Sequence, residues 1–166
     1  MEALCPDRIY HILVVDDVPS HVRLLQEILR QWTTRHCLHV ADDGEEALDF
    51  LSRKGNHDGA PVPDLIFLDL NMPKVDGFDV LKQIRSHPNS EIRSIPVIVP
   101  TASDAPSDIE RAYALGANCY VTKPCEIGEY ERMMAGVERF WFRLSELPWP
   151  SLPPICEAND PSRPAG

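Results

Sequence analysis

The chain has 166 residues, enough for one well-buried domain with a tail and too few for two ordinary domains. It carries 16 basic and 26 acidic side chains, and this acidic balance argues against nucleic-acid binding, which needs a basic face. No apolar run approaches the roughly 20 residues of a membrane span, and the N-terminus lacks the pattern of a secretory signal. We therefore expect a soluble, cytoplasmic protein.

The cysteines and histidines do not by themselves indicate a site. The five cysteines have no CxxC spacing, and they form no zinc-type pattern with the six histidines. We interpret the cysteines as reduced thiols that mostly serve packing. They are Cys5, Cys37, Cys119, Cys125 and Cys156.

The first predicted elements are a strand and an amphipathic helix. Residues 9–15 are apolar and β-branched, which is typical of a buried strand, and they are followed by Asp16 and Asp17. A helix then begins near Pro19, because proline is tolerated in a first helical turn. Its apolar residues have the spacing of one buried face. They are Val22, Leu25, Ile28, Leu29 and Trp32.

The next elements lead to a second carboxylate at a strand end. A short strand at about 37–40 is followed by a helix over about 45–53. Residues 54–63 are polar and rich in glycine and proline, and we expect a surface loop there. Residues 65–68 are four apolar residues in a row, which predicts a strand buried on both faces. This strand is followed at once by Asp69.

The alternation continues through the rest of the chain. We predict a helix over about 77–86, a strand over 94–100 that leads to Thr101, and a helix over about 105–115. A fifth strand over 118–122 leads to Lys123. A last helix runs from about residue 126 to 144 and presents one apolar stripe. The stripe comprises Ile127, Tyr130, Met134, Val137, Trp141 and Leu144.

Five alternations of strand and helix predict an α/β fold with one doubly wound, five-stranded parallel sheet between two helical layers. In such sheets ligands bind beyond the carboxyl ends of the strands. The residues at those ends are Asp16, Asp17, Asp69, Thr101 and Lys123. Any one of them has a structural explanation, since an aspartate often caps a turn. Their occurrence at four of five strand ends favours a common site.

These residue types favour phosphoryl chemistry. Three clustered carboxylates repel one another, so the site should hold a hard divalent cation, and Mg²⁺ suits carboxylates together with a phosphate oxygen. A carboxylate beside that ion can attack phosphorus and form an acyl phosphate. Lys123 and the Thr101 hydroxyl can stabilise charge on the phosphoryl oxygens.

The joint pattern resembles the receiver domain of two-component response regulators over about residues 9–144. The resemblance implies a flavodoxin-like fold with strand order 2-1-3-4-5. It implies that Asp69 accepts a phosphoryl group from a histidine kinase and that Lys123 pairs with the phosphoryl oxygens. It also implies an Mg²⁺ site and a phosphorylation switch. The implied metal ligands are Asp17, Asp69, the backbone carbonyl of Asn71 and, through water, Asp16, and the switch pair is Thr101 and Tyr120.

Three segments narrow this resemblance to a subgroup, and one residue departs from the expected pattern. The loop over 54–63, the Asn118-Cys119-Tyr120 segment and the Phe140-Trp141-Phe142 ending are similar to those of stand-alone regulators that partner bacterial phytochrome histidine kinases. Pro100 departs from expectation, because proline removes a hydrogen-bond donor from a strand that should be interior. It stands beside the switch residue Thr101, so it could stiffen that segment.

We assign residues 1–147 to one receiver domain and 148–166 to a proline-rich tail that is extended or disordered. The tail has no room for an effector domain, so output should pass through a partner protein or by onward phosphotransfer. Phe140 and Phe142 lie on either side of Trp141 in the predicted helix. The folded-back tail could cover them, but we favour an exposed patch that forms a homodimer through the C-terminal helix and tail.

Two other functions fit parts of the pattern. A Mg²⁺-dependent phosphatase with an aspartate nucleophile would need a general acid two residues after Asp69, where this chain has Asn71, which cannot donate that proton. A binding module that has lost phosphotransfer would not be expected to keep every site residue. We therefore predict a phospho-accepting signalling protein rather than an enzyme.

Overall fold

The computed structural model describes residues 8–148 and contains one five-stranded parallel sheet with strand order 2-1-3-4-5. This confirms the predicted doubly wound, flavodoxin-like fold. The strands are β1 (Tyr10–Val15), β2 (His36–Ala41), β3 (Leu65–Leu68), β4 (Val97–Thr101) and β5 (Cys119–Thr122). The α-helices are α1 (Pro19–Arg30), α2 (Gly44–Leu51), α3 (Gly77–Arg85), α4 (Ser90–Ser94), α5 (Pro106–Ala114) and α6 (Ile127–Arg139). A 3-10 turn spans Gly55–His57, and a π-helical segment, Phe140–Leu144, continues α6.

The helices form two layers, one on each face of the sheet. Alternate strand residues such as Leu13 and Ile66 pack with α2, α3, α4 and α5 on one face. Their neighbours Ile12 and Phe67 pack on the other face with α1, α6 and the π-helical segment. Strand β3 is fully buried because helices cover both of its faces. The three-layer arrangement therefore fixes β1 and β3 rigidly beneath the edge where they end.

Two helices that border this edge begin at capping aspartates. The Asp43 side chain accepts a hydrogen bond from the Glu46 N–H at the start of α2. The Asp76 side chain accepts one from the Asp79 N–H at the start of α3. Each cap satisfies a backbone donor that has no partner within the helix. The caps set the points at which α2 and α3 begin.

The segment before β4 differs from the prediction. Residues 90–94, which lie between the predicted helix over about 77–86 and the first residue of the strand predicted over 94–100, form the short helix α4, which buries Ile92. The Asn89 side chain caps this helix by accepting from the Glu91 N–H. A five-residue helix has too few apolar positions to show helical periodicity, so the sequence pattern could not reveal it.

Pro100 lies within β4 and is buried. The pairing of β4 with β3 extends only from Ile66–Val97 to Phe67–Ile98, so Pro100 lies beyond that ladder. On the other side it is in register with Val121 of β5. The missing N–H of Pro100 therefore removes no hydrogen bond to β3, which explains how this proline fits an interior strand.

The end of the chain corrects the predicted apolar stripe. Tyr130 and Met134 are buried as expected, but Ile127 and Leu144 are exposed. The Ser145 N–H donates to the Phe140 carbonyl at 2.8 Å, an i to i+5 hydrogen bond of the π-helical segment. Because this turn contains more residues than an α-helical turn, the position that faces the core moves one residue further along the chain. Phe142 therefore takes the place that the α-helical spacing gave to Trp141.

Phe142 is a core residue and not part of an exposed patch. Its side chain is 2% exposed, and its ring contacts the Tyr10 ring at 4.7 Å and the Trp32 ring at 5.7 Å between centroids. Phe140 is 53% exposed. The predicted patch thus loses Phe142 and keeps Phe140. The predicted tail, apart from Pro148, lies outside the described residues.

The prediction of reduced cysteines is wrong for Cys37, which is disulfide-bonded. Cys119 and Cys125 are free thiols, as expected. Cysteines that are distant in sequence can meet in space, and spacing alone does not reveal such a pair. Within residues 8–148, none of the helices has the length and apolarity needed to cross a membrane.

Candidate functional site

Three aspartates meet where β1 and β3 end. Asp16 and Asp17 follow β1, and Asp69 follows β3, its neighbour in the sheet. The Asp69 N–H donates to the Val15 carbonyl at 2.9 Å, which holds the two strand ends side by side. One carboxylate oxygen from each aspartate lies within 4.8 Å of the other two. Parallel pairing of β1 and β3 thus creates a compact group of three carboxylates.

Lys123 supplies the positive charge of this site. Its Nζ lies 3.0 Å from Asp16 Oδ2 and 3.9 Å from Asp69 Oδ1. The Lys123 N–H donates to the Thr101 carbonyl at 2.7 Å, so the end of β4 positions the lysine backbone. The side chain reaches across the edge of the sheet from β5 to β1. One ammonium group does not neutralise three carboxylates.

Burial makes ionisation of Asp69 unfavourable. The residue is 6% exposed, and loss of hydration raises the pKa of its carboxyl to about 6. Lys123 opposes this shift by lowering that pKa, whereas the negative charges of Asp16 and Asp17 add to it. The ionised form of a carboxylate that is dehydrated and repelled by neighbouring charges is stabilised by any positive charge placed beside it. Such a group is suited to react close to a bound cation.

The donor set fits a hard divalent cation. Asp17 Oδ1 is buried, and no group among the described residues hydrogen bonds to it. A buried carboxylate oxygen without a partner is costly, and a cation would satisfy it. Oxygen ligands on adjacent strand ends are those that Mg²⁺ or Mn²⁺ prefers. Asp16 is held differently, because its Oδ1 accepts from the Val18 N–H at 2.9 Å.

The predicted ligand Asn71 lies beside the predicted switch residue. Its Nδ2 approaches Thr101 Oγ1 to 3.4 Å. The role of its backbone carbonyl as a metal ligand stays a prediction. Thr101 is fully buried, and its Oγ1 also accepts from the Ser103 N–H at 3.3 Å.

Tyr120 is connected to the same loop. Its hydroxyl donates to the Ser103 carbonyl at 2.9 Å, and its half-buried ring packs against the core on the α2–α5 face of the sheet. The Ser103 hydroxyl in turn donates to Asp108 in α5 at 2.6 Å. Residues Thr101, Ser103 and Tyr120 therefore join the site to α5 and β5 through short contacts.

A glycine allows α3 to begin directly against the site. A β-carbon at Gly77 would lie 2.2 Å from the Asp69 carbonyl oxygen and 2.6 Å from the Leu70 Cα. Both neighbours are backbone atoms, so neither can move aside without shifting the loop that carries Asp69. The Gly77 N–H donates to the Leu70 carbonyl at 3.0 Å, which closes this loop.

His21 is a site residue that the sequence analysis missed. It lies in the first turn of α1, and its Nδ1 is 3.2 Å from Lys123 Nζ and 3.3 Å from Asp16 Oδ2. The one sequence feature that could have pointed to His21 is its position in the helical turn that follows the Asp16-Asp17 pair. A single histidine without a partner nearby in sequence gave no reason to select it.

A parallel α/β domain with three carboxylates and a lysine at its carboxyl edge carries the groups that phosphoryl transfer to an aspartate requires. The family model of the response regulator receiver domain matches residues 12–135, and the chain belongs to this family. Receiver domains bind a divalent metal in this acidic pocket, and they signal by phosphorylation. Membership of a signalling family disfavours the phosphatase alternative.

Several response regulators, one of them a phytochrome response regulator, match most of the chain. "Response regulator Rcp1" of a Synechocystis species is 40% identical over 137 residues, which cover 82% of this chain and 92% of that protein. The Mn²⁺-bound crystal structure of Rcp1 superposes with a TM-score of 0.78 at 39% identity, covering 84% of this chain and 99% of that one. The phosphorylated cyanobacterial phytochrome response regulator RcpA superposes with a TM-score of 0.80 at 38% identity, covering 85% and 99%. The chain is thus a receiver-type response regulator related to the phytochrome regulators.

Proposed function

We propose that Asp69 of this protein accepts a phosphoryl group from a sensor histidine kinase. The observation that carries the proposal is the convergence of Asp16, Asp17 and Lys123 around the buried Asp69 carboxylate. In this reaction an Asp69 oxygen forms a bond to phosphorus while the bond from phosphorus to the kinase imidazole nitrogen breaks. That nitrogen keeps the electron pair and takes up a proton, and the product is an aspartyl phosphate.

Each site residue has a distinct role in the proposal. Asp17, Asp69 and the Asn71 carbonyl would hold Mg²⁺ directly, and Asp16 would hold it through water. When bound, Mg²⁺ offsets the repulsion between the carboxylates and the incoming phosphoryl oxygens. Lys123 lies 3.9 Å from Asp69 Oδ1, close enough to pair with a phosphoryl oxygen after transfer.

Thr101 and Tyr120 would convert phosphorylation into a change of surface. The buried Thr101 hydroxyl would move to hydrogen bond with the phosphoryl group. It would then leave the Ser103 N–H, to which it is now bonded at 3.3 Å. Because the Tyr120 hydroxyl donates to the Ser103 carbonyl, a shift of this loop would alter how Tyr120 packs. The surface formed by α5 and β5 would thereby report the state of Asp69.

The partner we propose is a phytochrome-type sensor histidine kinase, on the basis of the similarity to the phytochrome response regulator RcpA. Coverage of 92% of Rcp1 supports a chain that acts as a stand-alone receiver over residues 1–147. Output would then follow from protein–protein contacts, without turnover of a substrate and without binding to nucleic acid. The cytoplasmic location stays a prediction.

We further propose a homodimer that uses the C-terminal helix. Phe140 and Leu144 lie one turn apart, and their side chains are 53% and 68% exposed. Two large apolar side chains exposed side by side favour an interface with a second copy of the chain. The burial of Phe142 restricts this interface to the outer side of the segment.

Phosphorylation is tested with a small-molecule phosphodonor and Mg²⁺, followed by intact mass. The wild type should gain one phosphoryl group, and Asp69→Asn should gain none. Asp58→Asn, which removes an exposed carboxylate in the loop after α2, is the matched control and should react as the wild type does. Equal labelling of Asp69→Asn and wild type would contradict the assignment.

The dimer is tested by size-exclusion chromatography with light scattering over a range of concentrations. Phe140→Ser should shift the equilibrium towards the monomer, because it removes exposed apolar area without opening the core. Tyr113→Ser, a change at another exposed aromatic residue, is the control. A wild type that stays monomeric at every concentration would refute the dimer.

A further inference from the structure

A second cluster of potential metal ligands lies on β1 and β2, away from the phosphorylation site. His11 is in register with Cys37, and Leu13 with His39, so their side chains share one face of the sheet. This is the face covered by α2, where His39 packs against Phe50. From His11 to Asp16 the strand advances five residues, roughly 16 Å at the usual strand rise. The two clusters are therefore separate.

The ligand atoms of these three side chains lie close together. His11 Nδ1 and His39 Nε2 lie 3.0 Å apart, and one ligand atom from each of His11, Cys37 and His39 lies within 4.8 Å of the other two. Two imidazole nitrogens at this distance can share one proton in an ordinary hydrogen bond. The same two nitrogens and the nearby Cys37 sulfur are also close enough together to occupy three corners of a tetrahedral zinc site.

Both imidazoles are positioned for such a role. Each side chain is half-buried on the face of the sheet that α2 covers. The His39 ring is held against the Phe50 ring at 5.1 Å between centroids, which limits its reorientation.

We propose that His11, His39 and Cys37 form a site for a borderline-soft divalent ion, Zn²⁺, which opens when the Cys37 disulfide is reduced. A dithiol supplies the two electrons and two protons that convert the disulfide into two thiols, and it is itself oxidised to a disulfide. The Cys37 thiol then loses its proton as it binds Zn²⁺. Nitrogen and sulfur ligands select zinc, whereas the carboxylates around Asp69 select Mg²⁺. The two sites of this chain would thus take different ions.

The proposal couples redox state to metal binding on β1, a strand that the phosphorylation site shares. With the disulfide intact, Cys37 cannot act as a thiolate and the two histidines keep their mutual hydrogen bond. After reduction, Zn²⁺ bound to the folded state would raise the stability of the β1–β2 pair by mass action. The proposal does not depend on phosphorylation of Asp69.

The test uses the full chain, reduced or oxidised, with Co²⁺ and Zn²⁺ as probes in excess Mg²⁺ to occupy the acidic site. The reduced wild type should bind one Co²⁺ per chain and show a sulfur-to-cobalt charge-transfer band, which Zn²⁺ displaces. The oxidised protein should show no such band. A reduced wild type without the band would overturn the proposal.

Variants assign the ligands. His39→Ala should weaken Zn²⁺ binding by at least about tenfold, since even loss of an outer-shell partner costs that much. Cys37→Ser should abolish the charge-transfer band. His36→Ala, which alters β2 on its opposite face, and Cys125→Ser, at an exposed thiol, should bind as the wild type does. Unchanged Zn²⁺ affinity in His39→Ala, or a band that persists in Cys37→Ser, would refute the site.

A phosphorylation assay distinguishes failure of this proposal from failure of the proposed function. His39→Ala should accept a phosphoryl group from a small donor as the wild type does, because the cluster lies at the opposite end of β1. Failure of zinc binding with normal labelling of Asp69 would reject the zinc site alone. Normal zinc binding with no labelling of the wild type would support the zinc site and reject the phosphorylation proposal.

Discussion

Replacing the Asp69 carboxylate by an amide should stabilise the metal-free protein. Asp69 is 6% exposed, and its pKa is raised to about 6 from an ordinary value near 3.8. Above pH 6 the folded state must therefore hold a charge that burial and the neighbouring aspartates disfavour. An asparagine side chain at this position has nearly the same shape without that charge. We expect Asp69→Asn to unfold at higher denaturant concentration than the wild type at pH 7.

The size of the effect follows from the shift in pKa. A pKa difference of about 2 units corresponds to about 3 kcal/mol in the free energy of unfolding at neutral pH. Because the pKa is raised on folding, this group's contribution to stability is fully present below pH 3.8. It is lost as the pH rises through about 6. The advantage of Asp69→Asn should therefore be greatest at pH 7 and above and should vanish near pH 4.

Urea unfolding, followed by tryptophan fluorescence at several pH values with a chelator present, measures this difference. Asp58→Asn removes an exposed carboxylate and should shift stability by less than about 0.5 kcal/mol at every pH. Adding Mg²⁺ should stabilise the wild type more than Asp69→Asn, because only the wild type keeps the full set of proposed ligands. An Asp69→Asn protein that is no more stable than the wild type at pH 7 would refute this account of the site.

Three further changes test the packing and the site. Phe142→Ala should cost about 3–5 kcal/mol of unfolding free energy in urea, whereas Phe140→Ala should change it by less than about 0.5, since only Phe142 is buried. Gly77→Ala should cost at least about 1–3 kcal/mol by pushing on the Asp69 backbone, and Gly128→Ala, with open space around it, should not destabilise α6. Asp17→Asn should weaken Mg²⁺ binding in calorimetry and abolish phosphodonor labelling.

A different result for any of these variants would contradict the corresponding prediction. Equal losses for Phe142→Ala and Phe140→Ala would contradict the π-helical register. A Gly77→Ala protein with wild-type stability would show that the loop carrying Asp69 can move at little cost. Full labelling of Asp17→Asn would remove that carboxylate from the proposed metal site.

Much of the fold was predictable because its signals are local. The apolar run over residues 65–68 and the helical spacing between Val22 and Trp32 each depend only on neighbours in sequence. Alternation of strands and helices with right-handed connections indicates a doubly wound parallel sheet, and the resemblance to receiver domains implied its strand order. The short helix α4 and the π-helical segment were not predictable, because neither has a periodic signal of sufficient length.

The candidate site was predictable for a related reason. The end of a parallel strand is visible in sequence, and all such ends lie at one edge, so Asp69 and Lys123 could be placed together without coordinates. His21 could not, because it reaches the site from a helix and no strand end marks it. Its contacts with Lys123 and Asp16 depend on how α1 packs against the sheet.

The sequence by itself determined the parallel α/β class and the carboxyl-edge cluster, since these follow from local patterns combined with the geometry of parallel sheets. The strand order 2-1-3-4-5 was implied by the resemblance of that cluster to receiver domains. Only the tertiary structure decided that Phe142 is buried and Phe140 exposed, because a single i to i+5 turn rotates everything after it. Only the structure brought His11 and His39 together, because they lie on different strands and meet through register alone. Patterns among neighbouring residues carry no information on the distance between residues far apart in sequence. That distance is set by how one strand or helix packs on another.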